Sequence, residues 1–269
     1  MAKSNRRILF VSLGALIVLT VLVLFSSAVS RLSGRTLAQQ GHSNSVPQQP
    51  DKAKQGNQQD MVRAGQEIRS RYPTVDYNSP EPTNPDEKAK RKTRNKHYDK
   101  RALVASQPSD SGTATILDSE FDPPALPIAM SDVILTADVL NSEAHLSNDK
   151  SGVYSEFNVQ VDSVLKGAIP ALGQTNLISL SRLGGIVRYP SGHTERYEIH
   201  NQNMPAIGKK YLFFLKATED NQAYEILTGY EIGQERILPL DYGSNSETFR
   251  GLAPTVFLNT VRDAIANKN

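Results

Sequence analysis

The sequence predicts a mainly β domain, an antiparallel barrel or sandwich with a C-terminal helix, preceded by a transmembrane helix and a disordered linker. Three observations carry that prediction. Ile8 to Val29 holds no charged residue between two basic flanks. Residues 30–115 are rich in Gln, Asn, Ser, Pro, Lys and Arg and poor in large apolar side chains. From Ile116 onward, short alternating apolar and polar runs are separated by turn residues, and only the last stretch has helical spacing.

The uncharged run of 22 residues, 8–29, gives roughly 33 Å of helix, enough to cross a hydrocarbon core. Its length favours a retained signal-anchor over a cleaved signal, whose apolar region is about 7 to 15 residues. Ser26, Ala28 and Ser30 would supply a cleavage site in the second reading, and the mature chain would then be secreted. Lys3, Arg6 and Arg7 outweigh Arg31 and Arg35, which places residues 1–7 in the cytoplasm and the rest outside it.

Residues 30–115 read as a tether, because a chain with little apolar surface to bury stays mobile. Gln58 to Arg71 carries Met61, Ala64 and Ile68 without proline, the makings of a marginal helix weakened by Gly65. The densest charge run lies here, and Lys88, Lys90, Arg91, Lys92, Arg94 and Lys96 are the candidate contacts for an acidic polymer or anionic headgroups. Nucleic acid is not expected as a partner, since stacking aromatics and recognition motifs do not accompany the run. Residues 1–115 carry 18 Lys+Arg against 9 Asp+Glu, and residues 116–269 carry 12 against 19. That asymmetry predicts weak, transient docking of Lys88 to Arg101 onto the acidic domain.

Within 116–269, Asp132 to Leu140 places Val133, Leu135, Ala137 and Val139 on one face of a strand. In Val153 to Asp162, Val153, Phe157, Val159 and Val161 point inward, and Glu156, Asn158, Gln160 and Asp162 point to water. Further strands are expected over Asn176 to Leu183, Gly185 to Tyr189, Thr194 to His200, Lys210 to Ala217, Ala223 to Tyr230 and Glu235 to Leu240. Pro254-Thr255 opens the helix, with Phe257, Leu258, Val261, Ala264 and Ile265 as its apolar stripe.

Chemical motifs are sparse. Absence of cysteine removes disulfides, thiolate catalysis and thiolate metal sites. His193, Glu195, Glu198 and His200 crowd one strand but alternate between its faces, so they do not converge on one ion. Asp138, Asp162 and Asp241 read as strand-end or turn carboxylates. No catalytic residue, metal ligand or cofactor is expected. The candidate contact surface is Arg182, Arg188, Tyr189, His193, Arg196 and Tyr197, because arginine and tyrosine dominate interface energetics.

Ser131 to Val139, Tyr154 to Gly167 with its Leu165-Lys166-Gly167 ending, and Gly208 to Leu215 occur in an order that resembles netrin-like domains, the OB-barrel type of the tissue inhibitors of metalloproteinases. The resemblance spans residues 131–237 and implies an OB-like barrel. Those inhibitors ligate their target's metal through an N-terminal cysteine, and this chain has none, so inhibition is not carried over. The sequence thus predicts a membrane-tethered, extracytoplasmic β-barrel module with a non-enzymatic binding role toward an envelope protein or polymer. The alternative is an envelope enzyme or enzyme inhibitor with a site assembled only in the fold.

Overall fold

The computed structural model describes residues 70–101, 103–108, 112–116, 123–170, 175–218, 223–243 and 245–267. The expected transmembrane segment 8–29, residues 1–7 and the first part of the expected linker lie outside them. Among the described residues no helix is long and apolar enough to cross a membrane.

In chain order the elements are β1 (Thr74–Asp76), α1 (Pro85–Lys96), β2 (Thr113–Ile116), β3 (Val133–Leu146), β4 (Val153–Lys166), β5 (Leu177–Leu183), β6 (Gly185–Arg188), β7 (Thr194–Ile199), β8 (Lys210–Ala217), β9 (Tyr224–Ile232), β10 (Ile237–Pro239) and α2 (Pro254–Ala266). A short 3-10 turn, Ser246–Phe249, precedes α2. All eight strands expected after residue 131 are present, and the fold is mainly β with a C-terminal helix.

The long strands β3 and β4 pair antiparallel along most of their length. From them a ring of pairings runs β4 to β5, β5 to β9, β9 to β8 and β8 back to β3. The β5–β9 closure is parallel and brief, pairing Leu180 with Tyr224 and Ser181 with Glu225. A second sheet has the order β1-β6-β7-β2, and its outer strands β1 and β2 run parallel to their neighbours. The antiparallel expectation is therefore corrected at these three pairings.

Inside the ring, Val133, Leu135, Ala137 and Val139 from β3 meet Phe157, Val159 and Val161 from β4 and Tyr211, Phe213 and Leu215 from β8. The alternate β8 residues, Leu212 and Phe214, face a second apolar layer formed with Tyr230, Phe257, Val261 and Ile265. This explains the unbroken apolar run Tyr211 to Leu215, buried on both faces because α2 covers the outside of the strand. Pro254 at the first helical position has no N–H to leave unsatisfied, and Phe257, Val261 and Ile265 form the buried stripe of α2.

The boundary expected at residue 116 is also corrected. From Tyr72 onward the supposed linker supplies β1, α1 and β2, and Tyr72, Val75 and Tyr98 are buried. The strands are too short to show alternation. Helix α1 carries no fully buried residue, so it lacks the apolar stripe that marks a docked helix. Its start is nevertheless written locally: Asn84 Oδ1 accepts from the Asp86 and Glu87 amides, Pro85 follows, and the charges run from acidic to basic along the helix.

Candidate ligand face beneath the N-terminal helix

Helix α1 lies over the outer face of β4. Glu156, expected in water, is instead covered by the helix and buried. Two cations converge on it: Arg91 Nη1 sits 3.1 Å from Oε1, and Arg94 Nη1 sits 3.3 Å from Oε2. Tyr154 donates its hydroxyl to Asn95 Oδ1 at 2.7 Å, and Tyr98 donates to Ser181 Oγ at 2.9 Å. Arg91, Arg94, Asn95 and Tyr98 recur at the spacing of one helix face, with Tyr98 just past the last turn. The docking stripe is real, but it is polar. The basic run expected to dock transiently on the acidic domain is thus held there as a helix by a buried carboxylate.

Burial raises the Tyr98 phenol well above its ordinary range, and burial followed by the Glu156 charge does the same for Tyr154. Both remain hydrogen-bond donors at neutral pH. His145, on β3, has Nε2 3.7 Å from carboxylate oxygens of both Glu143 and Glu156. Burial outweighs the Glu156 attraction and lowers its pKa to about 4, so the imidazole beside the arginines is neutral near pH 7. Gly152, in the β3–β4 turn, admits the Tyr98 carbonyl so closely that a Cβ would stand 2.4 Å from the oxygen.

Two cavities flank α1. One, of about 400 Å³, opens between the helix, β4, β5 and the residues Thr218 and Ala223 beside β8 and β9, and is lined by Arg94, Lys96, His97, Tyr154 and Ser179 among others. The other, of about 600 Å³, lies between α1, β1 and the β3–β4 turn. The first is lined by the cations Arg94 and Lys96, the hydroxyl residues Ser179 and Thr218 and the Glu156 carboxylate, groups able to hydrogen-bond an anionic or hydroxyl-rich ligand.

The contact surface proposed from sequence is dispersed. Arg182 is almost fully buried and bonded to Asp241 Oδ2 at 2.7 Å, to the Leu227 carbonyl at 3.3 Å and to the Asn203 carbonyl. Asp241 also accepts from the Asn203 amide and from Thr228 Oγ1, so it is the partner of a buried cation rather than a turn carboxylate. Tyr189 and Tyr197 are buried with their hydroxyl oxygens 2.6 Å apart, and Tyr197 donates to Glu195 Oε2 at 2.8 Å. Arg188 is exposed and pairs with Asp76, Arg196 pairs with Glu198, and His193 is exposed in the turn before β7. Only Arg188 and His193 of the six have the exposure a contact surface requires.

The basic candidates divide by helix face. Arg91 and Arg94 turn inward to Glu156, and Lys88 meets Glu81, while Lys90, Lys92 and Lys96 are exposed. Among the described residues no group of three or more His, Cys, Asp or Glu side chains is gathered as for a metal ion. Tyr154, Glu156, Ser179 and Ser181 carried no sequence signal as a site, because strand alternation marks them only as outward-facing. No protein-family model and no curated protein matches this chain.

Proposed function

We propose that the chain is a membrane-tethered, extracytoplasmic binding module built on an OB-like barrel of netrin-like type, with a non-enzymatic role toward an acidic envelope polymer. The reading rests chiefly on the cavity of about 400 Å³ over β4 and β5. OB barrels are five-stranded Greek-key barrels that take oligosaccharides and oligonucleotides on the face of their second and third strands and the adjoining loops. In the ring of β3, β4, β5, β8 and β9, those strands are β4 and β5, and Thr218 and Ala223, next to β8 and β9, complete the lining of the cavity on that face.

The chemistry of the lining favours binding over turnover. Glu156 is held by two arginines, and the Tyr154 and Tyr98 hydroxyls are engaged with Asn95 and Ser181. The exposed Lys96 adds a second cation beside Arg94 in the lining of this cleft. The anchor at 8–29 would hold this face outside the membrane, at the distance the residues before β1 allow.

The test is fluorescence anisotropy of labelled dextran sulfate with the full chain in detergent micelles. Ser179→Trp, which fills the cleft, and Lys96→Gln are each expected to weaken binding at least fivefold. Unchanged affinity in both would remove the reading.

A further inference from the structure

The second flank of α1 carries a distinct feature. Lys88, Arg91 and Lys92, at helical positions i, i+3 and i+4, line the cavity of about 600 Å³ from one side. Lys150, from the β3–β4 turn, lines it from another, with Nζ 2.9 Å from the Tyr77 carbonyl and 4.6 Å from the centre of the Tyr77 ring. Four cationic side chains therefore surround one cavity. Ser79, Ser147, Asn95 and Asn148 add hydroxyl and amide groups to its lining.

Opposing carboxylates are few. Glu81, on the Pro80-Glu81-Pro82 loop, meets Lys88, and Glu156 lies behind Arg91. Lys92 meets no carboxylate at ion-pair distance among the described residues, and its backbone carbonyl is fixed by Asn148 Nδ2 at 2.9 Å. Lys92 and Lys150 thus have no carboxylate at ion-pair distance among the described residues, and Asp149, in the same turn as Lys150, is held by the Ser147 and Ser151 hydroxyls; ammonium and guanidinium groups converge on the cavity from two separate elements.

From this geometry we infer that the cavity between α1, β1 and the β3–β4 turn is an oxyanion site that takes a phosphate group, free or carried on a polymer. Arg91 and Lys92 would meet its oxygens from the helix and Lys150 from the turn, with Ser79 as a hydroxyl donor; the Ser147 hydroxyl is already given to Asp149 Oδ1 at 2.7 Å. The Glu81 carboxylate on Lys88 occupies the place of one ligand charge, and binding would displace it. The site is separate from the β4–β5 cleft and does not depend on the polymer reading.

Phosphorus NMR titration of the full chain in detergent micelles, with inorganic phosphate in one arm and long-chain polyphosphate in the other, tests it. Both probes are expected to bind, with Lys92→Gln/Lys150→Gln weakening binding about tenfold while the circular dichroism spectrum is unchanged. Glu81→Gln should tighten binding about threefold, because a competing carboxylate is gone. Ser179→Trp should leave phosphate binding intact, which separates this site from the cleft. Binding of polyphosphate alone, lost in the lysine variant, identifies the group's source as a polymer. Absence of binding in both arms, full affinity in the lysine variant, or no gain in Glu81→Gln overturns the assignment.

Discussion

Tyr98 lies flat on Tyr154, their ring centroids 4.0 Å apart and their planes 12° from parallel. One ring comes from just beyond α1 and the other from β4, so the pair joins the N-terminal helix to the barrel. The Tyr98 hydroxyl reaches across to Ser181 on β5, and the rim of the seam above is charged. Stacked aromatic burial is the principal apolar contribution to a docking that otherwise relies on polar partners.

Tyr98→Ala is therefore expected to lower stability by about 3–5 kcal/mol, the range for deleting a buried aromatic ring. Tyr98→Phe keeps the stack and should cost about 1 kcal/mol for the lost hydrogen bond. Urea unfolding followed by circular dichroism measures both. If the alanine variant matched the phenylalanine variant, the ring would not be what pins the helix.

Glu156→Gln leaves Arg91 and Arg94 without their carboxylate. Their side chains are 26% and 30% exposed, so water compensates part of the loss, and the cost should be about 1–3 kcal/mol rather than the full penalty for a dry pair. Limited proteolysis supplies an independent reading: cleavage within residues 85–96 should accelerate in the variant before the barrel unfolds. Equal cleavage rates in both proteins would show that the ion pairs do not hold the helix.

The sequence marks the barrel strands because each presents an apolar face to one interior. The β3 stripe Val133, Leu135, Ala137 and Val139 needs only the two-residue period to be recognised, and it packs as expected. Helix α1 escapes the same reasoning because its docking stripe is Arg91, Arg94, Asn95 and Tyr98, and hydropathy cannot separate a polar stripe from a solvated one. Arg182 and Glu156 fail for a related reason. A strand pattern gives the direction of a side chain, but what covers that direction, Asp241 in one instance and α1 in the other, comes from residues 59 and 62 positions away. The Asn84-Pro85-Asp86-Glu87 start signal was the one local sign of α1.

Arg182 and Asp241 form a deeply buried ion pair, with side chains 1% and 12% exposed. Arg182→Met strands a carboxylate that only the Asn203 amide and Thr228 hydroxyl still satisfy, and should cost about 3–5 kcal/mol. Adding Asp241→Asn removes the orphaned charge, so the double variant should be less destabilised than the sum of the single changes. Thermal denaturation of the four proteins in a double-mutant cycle checks this. Strict additivity would mean the two residues act independently.

The membrane-anchor reading of residues 8–29 has its own test. If residues 8–29 span the bilayer, the full chain stays with membranes through carbonate extraction, and protease added outside removes the folded domain. A soluble mature protein beginning near Arg31 would establish cleavage instead.

His145 should give the domain an acid-sensitive step. Burial is the largest influence on its imidazole, opposed by Glu156 and reinforced by Arg91 and Arg94 of α1, and the result is a folded-state pKa of about 4 against an ordinary value of 6.5. Glu143 on the same strand is the other carboxylate within 3.7 Å. Because the folded pKa is depressed, the unfolded chain binds the proton first as pH falls. The stabilisation is thus complete above about pH 6.5, declines as pH drops from about 6.5 to 4, and is gone below that. A displacement of this size corresponds to on the order of 3 kcal/mol. His145→Asn, uncharged at every pH, should be flatter than the parent protein over that interval when urea midpoints are compared. Since protonated His145 would face Arg91 and Arg94 across the seam, the parent's loss should begin with α1, read as faster proteolysis within residues 85–96 at pH 5 than at pH 7. Parallel pH profiles in the parent and the variant would show that another group governs the acid limb.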